Sequence, residues 1–312
     1  MRMMKWVVPL IIGFTILSIY LGILGVTSTE AAESEPVSNS GEAYAGVFGA
    51  TYYTHDGIDI SPLAVAVIHI EAKKSPTEVV SGTGFFFEQA GALYLITNRH
   101  MVIKEADGYK PEGIQFFMHT KARDLTKGTV YTVKLYDEKG KKVWLEHPVY
   151  KEYADVVAIR LDNEYFKKEF VFRPFTQDNL PTKTDIFYVG EDVIVIGFPL
   201  NFYDDYNNLP VVRSGIVASF YLTGFRNNPY FLIDARLHSG TSGSPVLGKP
   251  GKARSTAAGG LDANTIAKIY LLGIHSDVCL KSGKPGVDEP LGLNTAWYAE
   301  LIPEIINEHV KP

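Results

Sequence analysis

Short runs of β-branched, aromatic and aliphatic residues, each bounded by turn-forming residues, recur along most of this chain. In the first half, these runs occupy residues 64–70, 82–88, 93–98, 114–120, 130–137, 143–149 and 154–161. In the second half, they occupy residues 192–199, 211–218, 230–237, 269–276 and 291–296. Many short strands separated by turn signals are typical of an all-β protein. The pattern therefore predicts strands along nearly the whole chain.

The amino terminus departs from this pattern. Residues 6–26 are apolar and uncharged, and they come after a start that carries Arg2 and Lys5. About 20 apolar residues suffice to span a bilayer, and this run is longer than the usual apolar core of a signal peptide. Because the positive charges precede the run, the positive-inside rule places the rest of the chain outside the cytoplasm. We therefore expect residues 1–26 to be a signal peptide or a membrane anchor, with the protein secreted or held at the outer side of the membrane.

Residues 27–46 are rich in serine, glutamate and alanine, a composition that indicates a flexible linker. The folded domain is then expected over residues 47–312. Within it, residues 164–184 are charged and carry proline, and they are interpreted as a connection between two halves. Near the end, residues 297–309 show helical spacing of apolar positions, interrupted at Pro303.

Composition narrows the classes of function. The chain has 312 residues and a formal net charge of −5, which argues against nucleic acid or an anionic membrane surface as a main partner. Its one cysteine, Cys279, rules out an intramolecular disulfide. No Cys/His cluster suggests a zinc site. The sequence implies no metal or organic cofactor. Nothing in the sequence fixes an oligomeric state.

Residues 240–245 (GTSGSP) place a serine between small residues, as a nucleophile on a tight exposed turn requires. A hydroxyl is a poor nucleophile unless a base activates it, and the base needs an orienting group. The reaction also needs two N–H groups aimed at the developing oxyanion. The backbone N–H groups of Gly240 and Ser242 are the natural pair.

A base and an orienting group precede this serine in the chain. Residues 93–98 form an apolar predicted strand, and His100 comes directly after it. Residues 155–159 (DVVAI) put Asp155 at the start of another strand. The order His100, Asp155, Ser242 is one of the known orders of a catalytic triad and differs from the order in α/β-hydrolases.

Four motifs now carry a resemblance to trypsin-like serine proteases of the chymotrypsin fold. Residues 82–86 (GTGFF) resemble "GSGF", residues 97–100 (TNRH) resemble "TAxH", residues 155–159 resemble "DxAxL/I", and residues 240–245 resemble "GxSGxP". The chain is similar to glutamyl endopeptidases and to the protease domain of high-temperature-requirement proteases, without a PDZ domain after the serine. Any one motif alone would be weak, but their order and gaps strengthen the signal.

The resemblance implies two six-stranded antiparallel β-barrels and a carboxy-terminal helix. The first barrel is expected at about residues 47–165 and the second at about 185–312, with the triad at their seam. Protein or peptide substrates are implied, with an acyl-enzyme on Ser242. Residue 241 is threonine rather than the aspartate that pairs with a freed amino terminus in trypsin. Activity without zymogen cleavage is therefore expected.

The sequence leaves two alternatives for the specificity of the substrate pocket. His275 resembles the histidine in the "GIH" segment of glutamyl endopeptidases, and Arg236 enters the pocket loop. Together they would favour an acidic residue before the scissile bond. Alternatively, Arg236 points to solvent and Leu237 lines a small apolar pocket. His238 and Ser276 are further candidates for substrate contact.

Two other functions compete with a protease. A catalytically silent relative would bind extended peptides or sense envelope stress, although the complete triad opposes this interpretation. An esterase of the α/β-hydrolase class would use Ser242, Asp262 and His275. It requires a helix directly after the serine, and the proline and glycine beyond Ser242 oppose one.

Overall fold

Two β-sheets dominate the computed structural model, which describes residues 53–55, 58–75, 77–248, 269–282 and 288–310. The expected signal or anchor segment 1–26 and linker 27–46 lie outside these residues. Among the described residues, no helix has both the length and the apolar character needed to cross a membrane. A small antiparallel pair, β1 (Tyr53–His55) and β2 (Ile58–Ile60), precedes the two main sheets.

The first main sheet has eight strands. They are β3 (Val67–Lys73), β4 (Val79–Gln89), β5 (Ala92–Thr97), β6 (Gly113–His119), β7 (Gly128–Lys134), β8 (Trp144–Glu146), β9 (Val157–Leu161) and β10 (Phe175–Thr176). Seven of them have the order β7-β6-β3-β4-β5-β9-β8, and β10 adds to β4 in parallel. The hydrogen-bonded path has two ends among the described residues, so this sheet is an open half-barrel.

The second main sheet closes on itself. Its strands are β11 (Asp192–Gly197), β12 (Val211–Val217), β13 (Tyr230–Ala235), β14 (Pro245–Gly248), β15 (Tyr270–Ser282) and β16 (Asp288–Tyr298). The order β11-β12-β13-β16-β15-β14 returns to β11 through an antiparallel β11–β14 pair. The GTSGSP motif follows β13, and its last residue, Pro245, begins β14.

Two α-helices complete the described chain, α1 (Asn163–Glu169) and α2 (Leu301–Val310). Pro303 lies in the first turn of α2, where backbone N–H groups have no partner within the helix. The proline therefore does not interrupt this helix. Leu301, Ile302, Ile305 and Ile306 form its buried face.

Apolar side chains form three main clusters. One fills the half-barrel, and it includes Phe86, Leu95 and Phe166. A second fills the closed barrel, and it includes Phe231 and Val246. The third joins residues of both sheets to the buried face of α2. The two sheets therefore share a packed seam, and the loops at this seam are held by both of them.

The fold class predicted from the sequence is confirmed: the chain is all-β, with two barrel-like sheets and a carboxy-terminal helix. The first sheet differs in detail from the expected six antiparallel strands, because it has eight strands, stays open and includes one parallel pair. Residues 164–184 contain most of α1 and all of β10 besides connecting turns. A strand, β14, comes closely after Ser242, so the helix that an α/β-hydrolase needs there is absent from this described segment.

Candidate active site

The loop around Ser242 depends on two glycines with left-handed backbone conformation. Gly240 has φ +91° and Gly243 has φ +87°, a region that other residues rarely adopt. A Cβ atom on Gly240 would lie 2.3 Å from the Phe198 carbonyl oxygen, and one on Gly243 would lie 2.0 Å from the Thr83 carbonyl oxygen. Both positions therefore require glycine for conformation and for space.

Each peptide unit that could stabilise an oxyanion is held through its carbonyl group. The Ser239 carbonyl accepts a 2.6 Å hydrogen bond from the Leu200 N–H. The Thr241 carbonyl accepts from His275 Nδ1 at 2.9 Å and from the Ser244 N–H at 3.0 Å. The N–H and C=O of a trans peptide point in opposite directions. The N–H groups of Gly240 and Ser242 therefore point away from these partners, and neither has an acceptor in the described part of the chain.

Two other carbonyl groups of this loop, those of Gly240 and Ser242, are held by a residue of the half-barrel. Thr83, which is fully buried on β4, donates its hydroxyl to the Gly240 carbonyl at 2.7 Å and its N–H to the Ser242 carbonyl at 2.8 Å. The Thr83 hydroxyl also accepts from the Phe198 N–H at 3.3 Å. One residue of the first sheet thus fixes two carbonyls of the serine loop, which connects strands of the second sheet.

His100 and Asp155 form a close pair at the seam. His100 lies on a short 3₁₀ turn directly after β5, and Asp155 precedes β9, the neighbour of β5. The His100 ring Nδ1 lies 2.7 Å from Asp155 Oδ2, and the His100 backbone N–H donates to Asp155 Oδ1 at 2.9 Å. Because the carboxylate accepts at Nδ1, Nε2 of the neutral ring carries the lone pair of a base.

Two neighbours orient the aspartate. The Ser276 hydroxyl donates to Asp155 Oδ2 at 2.6 Å, and the buried Asn98 side chain donates to the Asp155 backbone carbonyl at 2.6 Å. Ser276 thus contacts the carboxylate rather than standing free in a pocket. The carboxylate accepts three hydrogen bonds, which favour its charged form.

These contacts shift both ionisations. Burial alone would lower the pKa of His100, but its hydrogen bond to Asp155 and the charge of that carboxylate outweigh burial and raise it. Burial alone would raise the pKa of Asp155, but its hydrogen bonds to His100 and Ser276 and the His100 charge lower it. Asp277 adds a negative charge that further raises the pKa of His100, while Lys104 opposes it.

The side chain of Ser242 faces a backbone carbonyl in this structure. Its hydroxyl donates to the Ser276 carbonyl at 2.9 Å, and no hydrogen bond to His100 is present among the described residues. Hydrogen bonds between catalytic groups are often long or misaligned without substrate. Rotation about the Cα–Cβ bond of Ser242 redirects the hydroxyl without moving the loop.

The other expected substrate contacts lie in different surroundings. Arg236 comes directly after β13 and is exposed. Leu237 is 7% exposed and packs within the core cluster of the closed barrel, so its side chain contributes to barrel stability. His238 is half-buried, and its carbonyl accepts the Thr241 N–H at 3.1 Å and the Thr241 hydroxyl at 2.6 Å.

His275 is only 2% exposed, on β15. Its Nδ1 hydrogen-bonds the Thr241 carbonyl, whereas its buried Nε2 has no hydrogen-bond partner among the described residues. The Asn294 side chain lies beside the ring. Burial lowers the pKa of His275, since the charged ring would lose its hydration.

Sequence reasoning missed Thr83, Asn98 and Leu200 as contributors to this site. Thr83 and Asn98 stand inside two of the recognised motifs, and that position was the signal for them. Leu200 gave no such signal. It has φ +53°, unusual for a leucine, and its role depends on a backbone N–H that any residue except proline possesses.

No cluster of three or more histidine, cysteine, aspartate or glutamate residues that could hold a metal occurs in the described ranges. Burial, with the Asp277 charge as the next cause, raises the pKa of the Cys279 thiol, so it is a poor nucleophile at neutral pH. Within the part of the chain that the structure describes, the serine, the histidine–aspartate pair and the N–H groups of Gly240 and Ser242 together offer the groups that acyl transfer needs.

Comparison with a family model agrees with this geometry. A model described as "Trypsin-like peptidase domain" matches residues 82–253, more than half of the chain. A search of curated proteins found no match. Among solved structures, the crystal structure of the serine endoprotease from Yersinia pestis is similar at 17% identity and a TM-score of 0.46, covering 80% of this chain and 67% of that one.

Proposed function

Since the chain belongs to the trypsin-like peptidase family and is thus a serine protease, we propose that it is an endopeptidase with the triad His100, Asp155 and Ser242. One observation carries the proposal. The N–H groups of Gly240 and Ser242, which have no acceptor among the described residues, lie on the loop that bears the serine hydroxyl, while Asp155 holds His100 at the same seam. Protein or peptide chains are the proposed substrates.

In the proposed acylation, the Ser242 hydroxyl oxygen attacks the scissile carbonyl as His100 Nε2 takes its proton. The N–H groups of Gly240 and Ser242 stabilise the negative charge on the former carbonyl oxygen. Asp155 holds the Nδ1–H tautomer and stabilises the imidazolium. His100 then gives its proton to the leaving amine nitrogen as the C–N bond breaks.

Deacylation repeats these roles with water. His100 takes a proton from the water that attacks the ester carbon on Ser242, and the same two N–H groups stabilise the second oxyanion. The C–O bond to Ser242 breaks, and His100 returns the proton to the serine oxygen. The product carboxylic acid leaves, and the free enzyme is restored with no net proton taken up by the triad.

A peptide library incubated with the full chain tests the proposed chemistry, with products identified by mass spectrometry. Wild type should cleave internal peptide bonds, whereas Ser242→Ala and His100→Ala should lose cleavage. Ser244→Ala is the matched control, because Ser244 is a fully buried loop serine whose hydroxyl has no hydrogen-bond partner in the described chain. Equal cleavage by wild type and Ser242→Ala would reject the proposal.

We propose that activity needs no zymogen cleavage. The loop is ordered by bonds within the folded domain, including those from Thr241 to the His238 carbonyl and from Thr83 to the Gly240 carbonyl. Intact chain and chain nicked by a second protease should therefore have equal kcat/KM. A large rise on nicking would contradict this.

We further propose a preference for glutamate or aspartate before the scissile bond. Arg236 is exposed and has no ion-pair partner among the described residues, so its charge is free to pair with a substrate carboxylate. Matched peptides with Glu or Gln at that position isolate the charge: Glu should be cleaved faster by wild type, and Arg236→Gln should remove the difference. Equal rates for wild type would favour an apolar pocket.

We propose that the chain is exported, with residues 1–26 as a signal peptide or anchor, 27–46 as a linker and 47–312 as the protease domain. The support is the apolar run, its preceding positive charges and the polar segment after it. Fractionation of producing cells and the mass of the isolated protein test this. A mature start after Ala31 would indicate a cleaved signal, a membrane-bound intact chain an anchor, and a cytoplasmic intact chain would contradict export.

One observation favours the alternative of a silent peptide-binding relative, namely the Ser242 hydroxyl bonded to the Ser276 carbonyl instead of His100. The library experiment separates the two. Peptides bound by the wild type but returned uncleaved would favour the silent relative.

A further inference from the structure

We propose that His275 is a positioning residue for this reaction, in which its Nδ1–H holds the Thr241 carbonyl so that the Ser242 N–H faces the oxyanion. The proposal rests on the proposed function, because it concerns the stabilisation of the same tetrahedral intermediate. It assigns the ring a role that requires no contact with substrate.

The hydrogen bond defines the tautomer of the ring. A carbonyl oxygen can only accept, so the 2.9 Å contact from His275 Nδ1 to the Thr241 oxygen requires a proton on Nδ1. In the neutral ring, Nε2 then carries no proton. The contact is buried, and direct protein hydrogen bonds of this length fix the orientation of both groups.

The Thr241 carbonyl and the Ser242 N–H belong to one planar peptide. Rotation of this plane would turn the Ser242 N–H away from the substrate carbonyl, so whatever holds the carbonyl also aims the N–H. In the described chain, this carbonyl has two partners, His275 Nδ1 and the Ser244 N–H. Loss of the side-chain partner leaves one bond, so the peptide becomes less constrained without being released.

The backbone of His275 already anchors the loop by other bonds. Its carbonyl accepts the Gly243 N–H at 2.8 Å, and its N–H donates to the Ser244 carbonyl at 2.9 Å. These bonds survive any change of side chain. The imidazole therefore adds control of one peptide plane, and this contribution can be separated from the general order of the loop.

Packing alone does not explain a histidine at this position. The ring is 2% exposed, and burying an imidazole carries a desolvation penalty. An aliphatic side chain would avoid that penalty. What the imidazole adds is the hydrogen bond from Nδ1 to the Thr241 carbonyl, which an aliphatic side chain cannot make.

Two variants of the full chain test the proposal. In His275→Asn, the amide nitrogen can occupy the place of Nδ1 and donate to the Thr241 carbonyl, whereas His275→Leu fills space without a donor. Loss of a whole oxyanion donor lowers kcat about 10²–10³-fold. Since the Ser242 N–H is only loosened, His275→Leu should lower kcat by about 10–100-fold with little change in KM. His275→Asn should recover most of that loss.

An inhibitor pair distinguishes positioning from packing. A peptide aldehyde forms a tetrahedral adduct with the serine and places an oxyanion between the two N–H groups, while the corresponding peptide alcohol binds without an adduct. His275→Leu should weaken the aldehyde about as much as it lowers kcat and leave the alcohol unchanged. Equal weakening of both inhibitors would overturn the proposal and indicate a packing role.

The remaining outcomes are also decisive. Should His275→Leu fail to fold, His275→Asn still tests the bond, because a folded Asn variant with less than about one hundredth of the wild-type kcat overturns the proposal. An active wild type with an equally active Leu variant overturns the inference alone. A wild type that forms no aldehyde adduct overturns the proposed function, and the inference with it.

Discussion

Thr83 and Gly240 lie on different sides of the seam and meet through a 2.7 Å hydrogen bond, in which the threonine hydroxyl donates to the glycine carbonyl. The Thr83 N–H holds the Ser242 carbonyl at the same time. Contacts across the seam between the sheets therefore help to shape the site. The half-barrel fixes the backbone of the loop on which the closed barrel carries its serine.

Thr83→Val removes the hydroxyl and keeps the shape of the side chain. It leaves the buried Gly240 carbonyl and the Phe198 N–H without their partner. A buried polar group left unpaired costs about 1–3 kcal/mol. We expect a loss of this size in the free energy of unfolding, measured by denaturant titration. We also expect a lower kcat, because the Gly240–Thr241 peptide, which lies between the two oxyanion N–H groups, is freed.

Thr83→Ser is the matched control, since it keeps the hydroxyl and loses only a methyl group. It should retain most of the kcat. If the valine variant were as active and as stable as the serine variant, the hydrogen bond to Gly240 would have no role in the site.

Gly240→Ala should damage the loop for two reasons. The alanine would need φ near +91°, and its Cβ would lie 2.3 Å from the Phe198 carbonyl oxygen. Gly91→Ala is the control, because Gly91 has φ +75° but no atom within 4 Å of an added Cβ. Backbone strain alone costs about 1–3 kcal/mol, so both variants should lose stability while Gly240→Ala loses activity as well. Full activity of Gly240→Ala would contradict the loop geometry.

Asp155→Asn replaces the carboxylate that accepts from His100 Nδ1. An amide cannot stabilise the imidazolium and favours the wrong tautomer, and in such triads this change lowers kcat by about 10⁴-fold. Ser276→Ala removes one hydrogen bond to the same carboxylate but keeps its charge, so it should lose far less. Single-turnover rates with an ester substrate would show the difference, and a near wild-type rate for Asp155→Asn would contradict the assigned role.

The dependence of kcat/KM on pH reports the ionisation of His100 in the free enzyme. Only the neutral ring can accept the serine proton, so activity falls as the pH drops through the pKa of His100. That pKa is raised above its ordinary value of 6.5, chiefly by Asp155 acting against burial. The acidic limb should therefore have its midpoint above pH 6.5.

Two surface charges should move this midpoint in opposite directions. Asp277→Asn removes a negative charge that raises the pKa of His100, so the midpoint should fall, whereas Lys104→Gln removes an opposing positive charge, so it should rise. Both shifts should shrink in high salt, because exposed charges are screened. Unmoved midpoints in both variants would contradict the assignment of this limb to His100.

The sequence was sufficient to predict the fold class and the residues that meet at the seam. His100 comes directly after β5 and Asp155 precedes β9, so pairing of these two strands brings them together. Each of these motifs places a catalytic residue type next to a strand end, and this combination can be recognised in the sequence. The two glycines of the serine loop could be interpreted in the same way, because glycine is the residue type that adopts positive φ most readily.

Features that depend on tertiary contact were not predictable. The strand of the half-barrel that the sequence did not predict, β10, has only two residues and is too short to leave a periodic pattern. The expected substrate role of His275 came from the resemblance of its segment to the "GIH" segment of glutamyl endopeptidases. That resemblance gives no information about the burial of the ring or about its bond to the Thr241 carbonyl. Leu200 acts through its backbone, so its side chain carries no signal.

The most direct test of the central claim is covalent labelling of the full chain with a fluorophosphonate probe, with subsequent mapping of the modified peptide. We predict a single adduct on Ser242 in the wild type, formed without any prior cleavage, and no adduct in Ser242→Ala or His100→Ala. A folded wild type that stays unlabelled, or a probe attached to another residue, would contradict the account of a preformed serine protease site.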